Sequence, residues 1–397
     1  MKFQSLLLTF ACYCTVACGV QPKGEVQGPD DGQGGDLGQG GEAVVDPPLD
    51  SPLGGMSADA RESGSRDAAT PEIKPDGSNP TSSNQDAQPV ALQGDGVFVA
   101  VGHGGRRLSS CDDGATWSHE VKVNDSDADH ATWSGMGLAY GHGVFVALYG
   151  WGVPTASLFR SEDGVAWQQT FGVSQTGSTA TSITFGDGAF LAVADRSKAH
   201  ISNDLGMNWK TVQWGGDAPV LRRLVYAKGK FIAFGDNGRV VVSSDRGATW
   251  KNLSLPQGCL GRFDTAVAAG NDFILGVGRG GGCRSDDGGT TWIPVTAPNI
   301  PGTMIWTGHD FYATGLRESY RSPDGATWVT QKHSLEQNTW VSSVAVSDKG
   351  TFVGVDENGD RFFRSVDGRV WKRVVASTGT IITALAFGRL QTGKVCK

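Results

Sequence analysis

The sequence predicts an all-β fold, a seven-bladed β-propeller of four-stranded antiparallel blades. One short motif, Ser-x-Asp-(x)-Gly-x-x-Trp, occurs seven times, with its tryptophans at positions 117, 167, 209, 250, 292, 328 and 371. The spacings of 50, 42, 41, 42, 36 and 43 residues match the length of one blade. The 58 glycines and the many short apolar runs are typical of a turn-rich β protein.

The strands between the motifs can be assigned from their residues. Seven apolar runs, most opening on phenylalanine, predict second strands buried on both faces: Phe98–Val101, Phe145–Leu148, Phe190–Val193, Phe231–Phe234, Phe273–Gly276, Phe311–Ala313 and Phe352–Val355. Runs with small residues, such as Ser182–Phe185 and Ser343–Val346, precede them and predict inner strands.

The two ends of this region predict how the ring closes. After the last motif comes one more inner-strand pattern, 381–387, with no second strand behind it. The first blade has the opposite defect, because its own inner strand near 90–92 is short and weakly patterned. We therefore expect 381–387 to complete the first blade, which removes two open sheet edges.

Residues 1–18 have the pattern of a bacterial export signal, with Lys2, an apolar stretch and small residues before Cys18. Thr15-Val16-Ala17-Cys18 resembles the lipoprotein signal, in which Cys18 carries the lipid after cleavage, although Thr15 stands where an aliphatic residue is usual. We expect an envelope protein attached to the membrane only through this lipid anchor. With an ordinary signal peptide instead, the protein would be secreted.

Residues 19–90 are predicted to form a disordered tether. They contain no Phe, Trp or Tyr, and 13 acidic residues stand against 4 basic ones, so the segment cannot bury enough apolar surface to order itself. A coil of this length spans about 45 Å. The rest, 91–397, has 28 acidic and 29 basic residues. That near balance gives no electrostatic footprint for a nucleic-acid partner.

The motif resembles the Asp-box, or BNR, repeat of sialidase-like propellers, and the resemblance covers nearly all of 91–397. In such a turn the aspartate accepts hydrogen bonds from its own backbone, the glycine adopts positive φ and the tryptophan packs on the sheet. We therefore assign a structural role, not a catalytic or metal-binding one, to Asp112, Asp163, Asp204, Asp245, Asp287, Asp324 and Asp367.

Four cysteines fall in the predicted propeller, in an oxidising compartment. A Cys111–Cys396 bridge would lock the ring, and Cys259 and Cys283 both lie in the fifth repeat. Four cysteines allow three pairings, or none if the thiols stay free, and the sequence does not choose among these.

The loops opposite the motif turns are the predicted ligand face. They contain seven arginines that could clamp a carboxylate or sulfate, the alternative being that these are solvated loop charges. The arginines are Arg106, Arg107, Arg222, Arg223, Arg262, Arg279 and Arg317. Trp151 and Trp340 are candidates for stacking on a ligand. The acidic loop 124–130 lacks the glycine and distal glutamate of an EF-hand. We expect no metal and no cofactor.

These observations favour a monomeric binding or scaffolding propeller that recognises a protein or a glycan at the cell envelope. Photosystem assembly and stability factors are similar in architecture. The Arg-Ile-Pro signature of sialidases is missing, and sialidases usually have six blades, so that activity is not expected. The competing hypothesis is a glycan-active enzyme, a glycoside hydrolase or polysaccharide lyase, using carboxylates among Asp236, Asp264 and Glu318. A purely structural surface protein is the third hypothesis.

Overall fold

A computed structural model describes the propeller over most of its length. The described residues are 94–122, 135–150, 156–172, 180–194, 197–215, 220–235, 238–259, 265–269, 273–278, 281–300, 303–335, 339–356, 358–374 and 381–396. They form seven four-stranded antiparallel sheets and contain no α-helix. The predicted fold class is confirmed.

Each blade follows the same strand order from the channel outward. Blade 1 contains β1 (Gly96–Gly102), β2 (Arg107–Ser110) and β3 (Ser118–Val121); blade 2 contains β4 (Gly135–Gly141), β5 (Val144–Tyr149), β6 (Ser157–Ser161) and β7 (Gln168–Gly172); blade 3 contains β8 (Ala180–Gly186), β9 (Ala189–Ala194), β10 (Lys198–Ser202) and β11 (Lys210–Gln213). Blade 4 contains β12 (Leu221–Ala227), β13 (Lys230–Gly235), β14 (Val240–Ser243) and β15 (Lys251–Leu253); blade 5 contains β16 (Thr265–Ala269), β17 (Phe273–Gly278), β18 (Gly281–Ser285) and β19 (Ile293–Val295). Blade 6 contains β20 (Met304–Trp306), β21 (Phe311–Thr314), β22 (Glu318–Ser322) and β23 (Val329–Lys332); blade 7 contains β24 (Val341–Val346), β25 (Phe352–Asp356), β26 (Phe362–Ser365) and β27 (Lys372–Val374); β28 (Ile382–Arg389) follows.

The last strand closes the ring, as the sequence predicts. β28 pairs antiparallel with β1, from Gly96 opposite Arg389 to Gly102 opposite Ile382, and supplies the inner strand of blade 1. The alternative inner strand near 90–92 lies outside the described residues. Because the first and last strands of the described propeller share one sheet, opening this blade would expose two strand edges at once.

The core lies between the blades and is built mainly from the second strands. All six side chains of β5 and all six of β9 are fully buried, because a second strand packs one face on each neighbouring blade. This explains why these runs are apolar throughout and do not alternate.

Aromatic rings of the inner strands pack on the preceding blade at positions where that blade has glycine. A Cβ at Gly388, Gly141 or Gly186 would lie 2.2, 2.1 or 2.0 Å from the ring of Tyr140, Phe185 or Tyr226 respectively. Since real Cβ contacts are never that short, only glycine admits these rings. The corresponding pair of blades 4 and 5 is Ala227 and Ala269, without a ring.

Arginines link several neighbouring blades on the motif face. The residue before the motif serine donates from its guanidinium to a main-chain oxygen in the motif of the next blade: Arg160 to Leu205 at 2.7 Å, Arg284 to Asp324 at 2.7 Å and Arg321 to Asp367 at 2.9 Å. Blade 1 has Ser109 at this position. There the C-terminal tail joins blades 1 and 2, since Leu390 is buried between them and Lys394 lies 3.1 Å from Glu162.

The structure contains two disulfides, Cys111–Cys396 and Cys259–Cys283. The first ties the C-terminal tail to the motif turn of blade 1, and the second lies within blade 5, where both cysteines are buried. Of the three pairings that the sequence left open, this is the one that places a bridge at the closure of the ring.

Candidate functional site

The aspartate carboxylates of the motif turns accept hydrogen bonds from within their own turns. In all seven motifs the serine hydroxyl donates to the aspartate Oδ1, over 2.7–3.1 Å. In blade 4, Asp245 also accepts the backbone N–H of Thr249 at 2.8 Å and its hydroxyl at 2.6 Å. With its lone pairs occupied in this way, such a carboxylate has little capacity left for a ligand.

The ionisation of these aspartates agrees with that geometry. Desolvation raises the pKa of Asp287, but hydrogen bonds from Thr291, Ser285 and Thr290 outweigh it and bring the pKa down to about 2. At Asp112, Asp204, Asp245 and Asp367 desolvation likewise raises the pKa, but turn hydrogen bonds outweigh it and leave the pKa lowered. At Asp324 the backbone N–H of Thr327 is the largest influence, and the pKa is lowered as well. Within the described part of the chain, no three His, Cys, Asp or Glu side chains cluster as metal ligands.

The opposite face, here called the loop face, surrounds the mouth of the channel. It carries the turns between second and third strands and the connections between blades. Several predicted site residues in these loops lie outside the described residues: Trp151, Asp236, Arg262, Asp264 and Arg279, as do the loop 124–130 and the lipidation candidate Cys18. Of the three candidate catalytic carboxylates, only Glu318 is therefore placed.

Arg106 and Arg107 are buried in the wall between blades 1 and 2. The Arg106 side chain is fully buried, and its Nε donates to Glu120 at 2.7 Å. Its carbonyl oxygen accepts the hydroxyl of Tyr149 from blade 2, at 3.2 Å. These contacts engage Arg106 in the packing of blades 1 and 2.

Arg107 is buried and forms no ion pair with another described residue. Its guanidinium carbon lies 4.5 Å from the ring centroid of Phe159 and 5.8 Å from that of Trp167. Nε and Nη1 are buried and have no hydrogen-bond partner. Desolvation lowers the pKa of Arg107, with a smaller opposing effect from Tyr149. Cation–π contacts thus take the place of a counterion.

Arg222 and Arg223 stand at the loop-face end of an inner strand. The register of β12 against β13 shifts between Leu221 and Arg223, so Arg222 occupies a β-bulge. Arg222 is 8% exposed. Arg223 is exposed, and its Nη1 donates to the carbonyl of Arg222 at 3.1 Å. A bulge re-aims side chains relative to the regular pleat. Of the two arginines at this bulge, Arg222 is buried and Arg223 is exposed.

The same bulge recurs in other inner strands with small residues. The register also shifts at Thr181 in β8, at Ser342 in β24 and at Thr383 in β28. Their hydroxyls donate to main-chain oxygens nearby, for example Ser342 to Asp356 at 2.7 Å and Thr383 to Val101 at 3.2 Å. Within the described inner strands, Arg222 and Arg223 are the only charged residues of the loop-face half.

The remaining predicted residues lie on the loop face of blades 6 and 7. Arg317 is exposed, Glu318 opens β22 and is half-buried, and Trp340 is half-buried just before β24. His333 lies against this turn, since its backbone N–H donates to the Arg317 oxygen at 3.3 Å. The described residues bring no second carboxylate beside Glu318 in a hydrogen bond or ion pair.

One buried ion pair of the loop face escaped the sequence analysis. Asp356 is fully buried, and its carboxylate accepts Arg361 Nε at 2.6 Å and the backbone N–H of Asp360 at 3.1 Å. The turn it shapes holds the closing strand, because Ile382 N–H donates to the oxygen of Gly359 at 2.8 Å. The one sequence feature that indicates this role is that an aspartate, Asp356, ends an otherwise apolar strand.

The described residues form a seven-bladed β-propeller whose loop face carries the Arg222–Arg223 pair. The sequence matches no protein-family model and no curated protein sequence. Solved structures share the fold. A functionally unknown protein from Desulfotomaculum acetoxidans is 11% identical, with a TM-score of 0.55, over 73% of this chain and 99% of that one. Virginiamycin B lyase from Staphylococcus aureus is 9% identical, with a TM-score of 0.52, over 66% and 94%.

YCF48 bound to D1 peptide is 15% identical, with a TM-score of 0.50, over 62% of this chain and 82% of that chain. At such identities these likenesses establish the fold alone. Within the described residues, no helix is long and apolar enough to cross a membrane.

Proposed function

We propose that the protein is a binding propeller of the cell envelope that captures a protein partner at its channel mouth. The observation that carries the proposal is the Arg222–Arg223 pair on the bulge of β12. The matching bulges of blades 3, 7 and 1 carry Thr181, Ser342 and Thr383. The bulges of blades 1, 3 and 7 therefore carry small neutral residues, whereas that of blade 4 carries two arginines.

Guanidinium groups recognise carboxylates through paired hydrogen bonds, and Arg223 is exposed. An extended peptide with an acidic side chain or a free C-terminus presents such a carboxylate. The solved complex of YCF48 with D1 peptide supports, at the level of the fold, a peptide as the ligand of a propeller. An acidic glycan presents the same group, so the test must separate the two.

The location belongs to the same proposal. The lipoprotein-type pattern ending at Cys18 supports attachment to the envelope by lipid, and the protein is secreted if Cys18 remains unmodified. The seven motifs support an Asp-box propeller, because the serine, aspartate and glycine of each perform the hydrogen bonding expected of that turn. We expect a monomer.

The test is binding of the purified chain to two arrays, one of peptides with acidic side chains or free C-termini and one of acidic glycans. We expect saturable peptide binding that weakens at least tenfold in the double variant Arg222→Gln/Arg223→Gln. The matched control, Lys210→Gln/Lys251→Gln, removes two exposed charges from outer strands and should leave binding unchanged. Equal binding by both variants would overturn the arginine site, and binding to glycans alone would overturn the protein partner.

A further inference from the structure

The two disulfides differ in their surroundings. Cys259 and Cys283 are 3% and 0% exposed, enclosed within blade 5. Cys111 is exposed in the motif turn of blade 1, and its partner Cys396 is half-buried in the C-terminal tail. Thiol–disulfide exchange requires that a thiolate reach one of the two sulfurs, so exposure decides which bridge of the folded protein can react.

A cavity of about 420 Å³ adjoins the exposed bridge. Cys111 lies in its wall, together with Gly94–Gly96 of blade 1 and with Asp348 and Lys349 from the turn between β24 and β25. Since one water molecule occupies about 30 Å³ in the liquid, the cavity has room for a small organic thiol. A thiolate that enters it meets Cys111, and Cys396 then becomes the leaving group.

The C-terminal tail supplies the cation that links blades 1 and 2. At the other six junctions a cation from a strand or turn of one blade reaches the neighbouring blade directly: Arg160, Lys228, Arg246, Arg284, Arg321 and Arg364. Between blades 1 and 2 the cation is Lys394 of the tail, which lies 3.1 Å from Glu162 in the motif of blade 2. The tail is in turn attached to blade 1 by the bridge from Cys396 to Cys111.

The bridge is the strong restraint on the tail beyond Leu390. Leu390 is fully buried, but the residues from 392 to 395 are exposed. The side chains of Lys394 and Glu162 are 49% and 38% exposed, and ion pairs that are this accessible to water contribute little to stability. The covalent bridge, and not this ion pair, therefore keeps the tail against blades 1 and 2.

We propose that Cys111–Cys396 is a thiol–disulfide exchange site, which a dithiol reduces selectively in the folded protein, releasing the tail. One thiolate of the dithiol attacks Cys111 Sγ, the S–S bond breaks, and Cys396 leaves as a thiolate. The second thiolate of the dithiol then attacks its own sulfur in the mixed disulfide and expels Cys111 as a thiolate. The dithiol is oxidised to a cyclic disulfide, and its two protons pass to the two cysteines.

The ring itself stays closed after this reaction. β28 remains paired with β1 from Gly96 to Gly102, and Arg364 of blade 7 still donates to the main-chain oxygen of Asp113 in blade 1. Reduction therefore loosens one blade junction and does not unfold the propeller. Reoxidation restores the link, so the bridge acts as a reversible clasp between blades 1 and 2.

The experiment is reduction of the folded full-length chain with dithiothreitol, after its free thiols have been blocked with N-ethylmaleimide. Samples taken over time are alkylated with iodoacetamide, and the label on each cysteine is quantified by peptide mass spectrometry. We expect Cys111 and Cys396 to be labelled about tenfold faster, or more, than Cys259 and Cys283. The near-ultraviolet circular dichroism should remain native while the first bridge opens. Equal rates for the two bridges, faster labelling of the blade 5 pair, or loss of the native spectrum overturns the proposal.

Release of the tail is measured by limited trypsin cleavage after Lys394. We expect cleavage to be about tenfold faster, or more, in Cys111→Ser/Cys396→Ser than in the parent, because proteases cut segments that are free to leave the surface. The matched control Glu162→Gln removes the ion pair but keeps the bridge, and its cleavage should stay slow. Cleavage that is unchanged in the serine variant, or equally fast in Glu162→Gln, overturns the release.

This proposal is independent of the proposed function. That function depends on Arg222 and Arg223 of blade 4, whereas the bridge joins the tail to blade 1. A failure of the labelling or the cleavage experiment therefore leaves the peptide-binding proposal untouched.

Discussion

Arg364 in blade 7 donates from Nε to the main-chain oxygen of Asp113 in blade 1, at 2.8 Å, and from Nη2 to its carboxylate, at 3.2 Å. Thr351 donates its hydroxyl to the same carboxylate at 2.6 Å. The contact repeats the arginine links of blades 2, 5 and 6, but here it joins residues 251 positions apart. The ring is thus closed by the same side-chain device that holds its neighbouring blades.

Replacing Arg364 by Met should lower the free energy of unfolding by about 2 kcal/mol, because charge-assisted hydrogen bonds between blades 7 and 1 are lost. Arg373→Met is the matched control on the exposed outer strand of the same blade and should change stability by less than about 0.5 kcal/mol. Urea denaturation followed by tryptophan fluorescence measures both. Equal losses in the two variants would show that Arg364 is not a link.

The disulfides should differ in their contribution to stability. Cys111–Cys396 closes a loop with a sequence separation of 285 and Cys259–Cys283 one of 24. In the chain-entropy model their removal costs about 6 and about 3 kcal/mol respectively. We therefore expect Cys111→Ser/Cys396→Ser to unfold at lower urea than Cys259→Ala/Cys283→Ala. The reverse order would mean that burial of the blade 5 cysteines outweighs loop length.

Gly186→Ala should destabilise the ring by about 2–4 kcal/mol, because the new methyl group overlaps the Tyr226 ring and forces blades 3 and 4 apart. The chain itself suggests a compensating change. At the corresponding contact between blades 6 and 7, Thr307 stands in place of the glycine and Val346 in place of the aromatic residue. The double variant Gly186→Ala/Tyr226→Val should recover part of the loss. Thermal unfolding of the single and double variants measures the coupling, and additive losses would contradict the contact.

Stability should fall between pH 6.5 and pH 4 because of His200. This histidine is 1% exposed, its Nδ1 lies 3.0 Å from Thr211 Oγ1, and its Nε2 has no partner. Burial, with a smaller effect of Lys198, lowers the pKa of His200 to about 4. The unfolded chain, with a histidine pKa of about 6.5, binds more protons in this window, so acid favours unfolding by up to about 3 kcal/mol.

His200→Gln removes that titration and should flatten the dependence of unfolding free energy on pH between 7 and 4.5. His309, which is 77% exposed, is the matched control, and His309→Gln should retain the slope of the parent. Urea midpoints at five pH values test both. A slope unchanged in His200→Gln would assign the dependence to other groups.

Arg107→Met should raise the free energy of unfolding by about 1 kcal/mol. The methionine fills the same space against Phe159 and Trp167, and the cost of burying an unpaired cation disappears. Arg223→Met, at an exposed site, should have no effect on stability. A loss of more than about 1 kcal/mol in Arg107→Met would show that the cation–π contacts outweigh desolvation.

The fold was predictable in detail because its signals are local. The spacing of the motif tryptophans predicts the blades, and the apolar run Phe98–Val101 predicts a buried second strand. The unpaired pattern at 381–387 predicts the closing strand, which the structure places at Ile382–Arg389. Each of these patterns lies within consecutive residues of one strand or turn.

The candidate site was less predictable, as the arginines show. In sequence, Arg106-Arg107 and Arg222-Arg223 are equivalent pairs near the loop face. In the structure the first pair is buried against Glu120, Phe159 and Trp167, whereas Arg223 is exposed. Whether a charged loop residue is solvated depends on which residues of other strands pack against it. For Arg222 it also depends on a β-bulge, which no local sequence motif predicts.

The sequence by itself determined the number of blades, the order of their strands and the way the ring closes, since turn chemistry and strand patterning act between residues close in the chain. Only the tertiary structure decided that residue 186 must be glycine to admit the ring of Tyr226, and that Cys111 meets Cys396. These are relations between neighbouring blades or distant ends of the chain, and only ring closure brings such residues into contact.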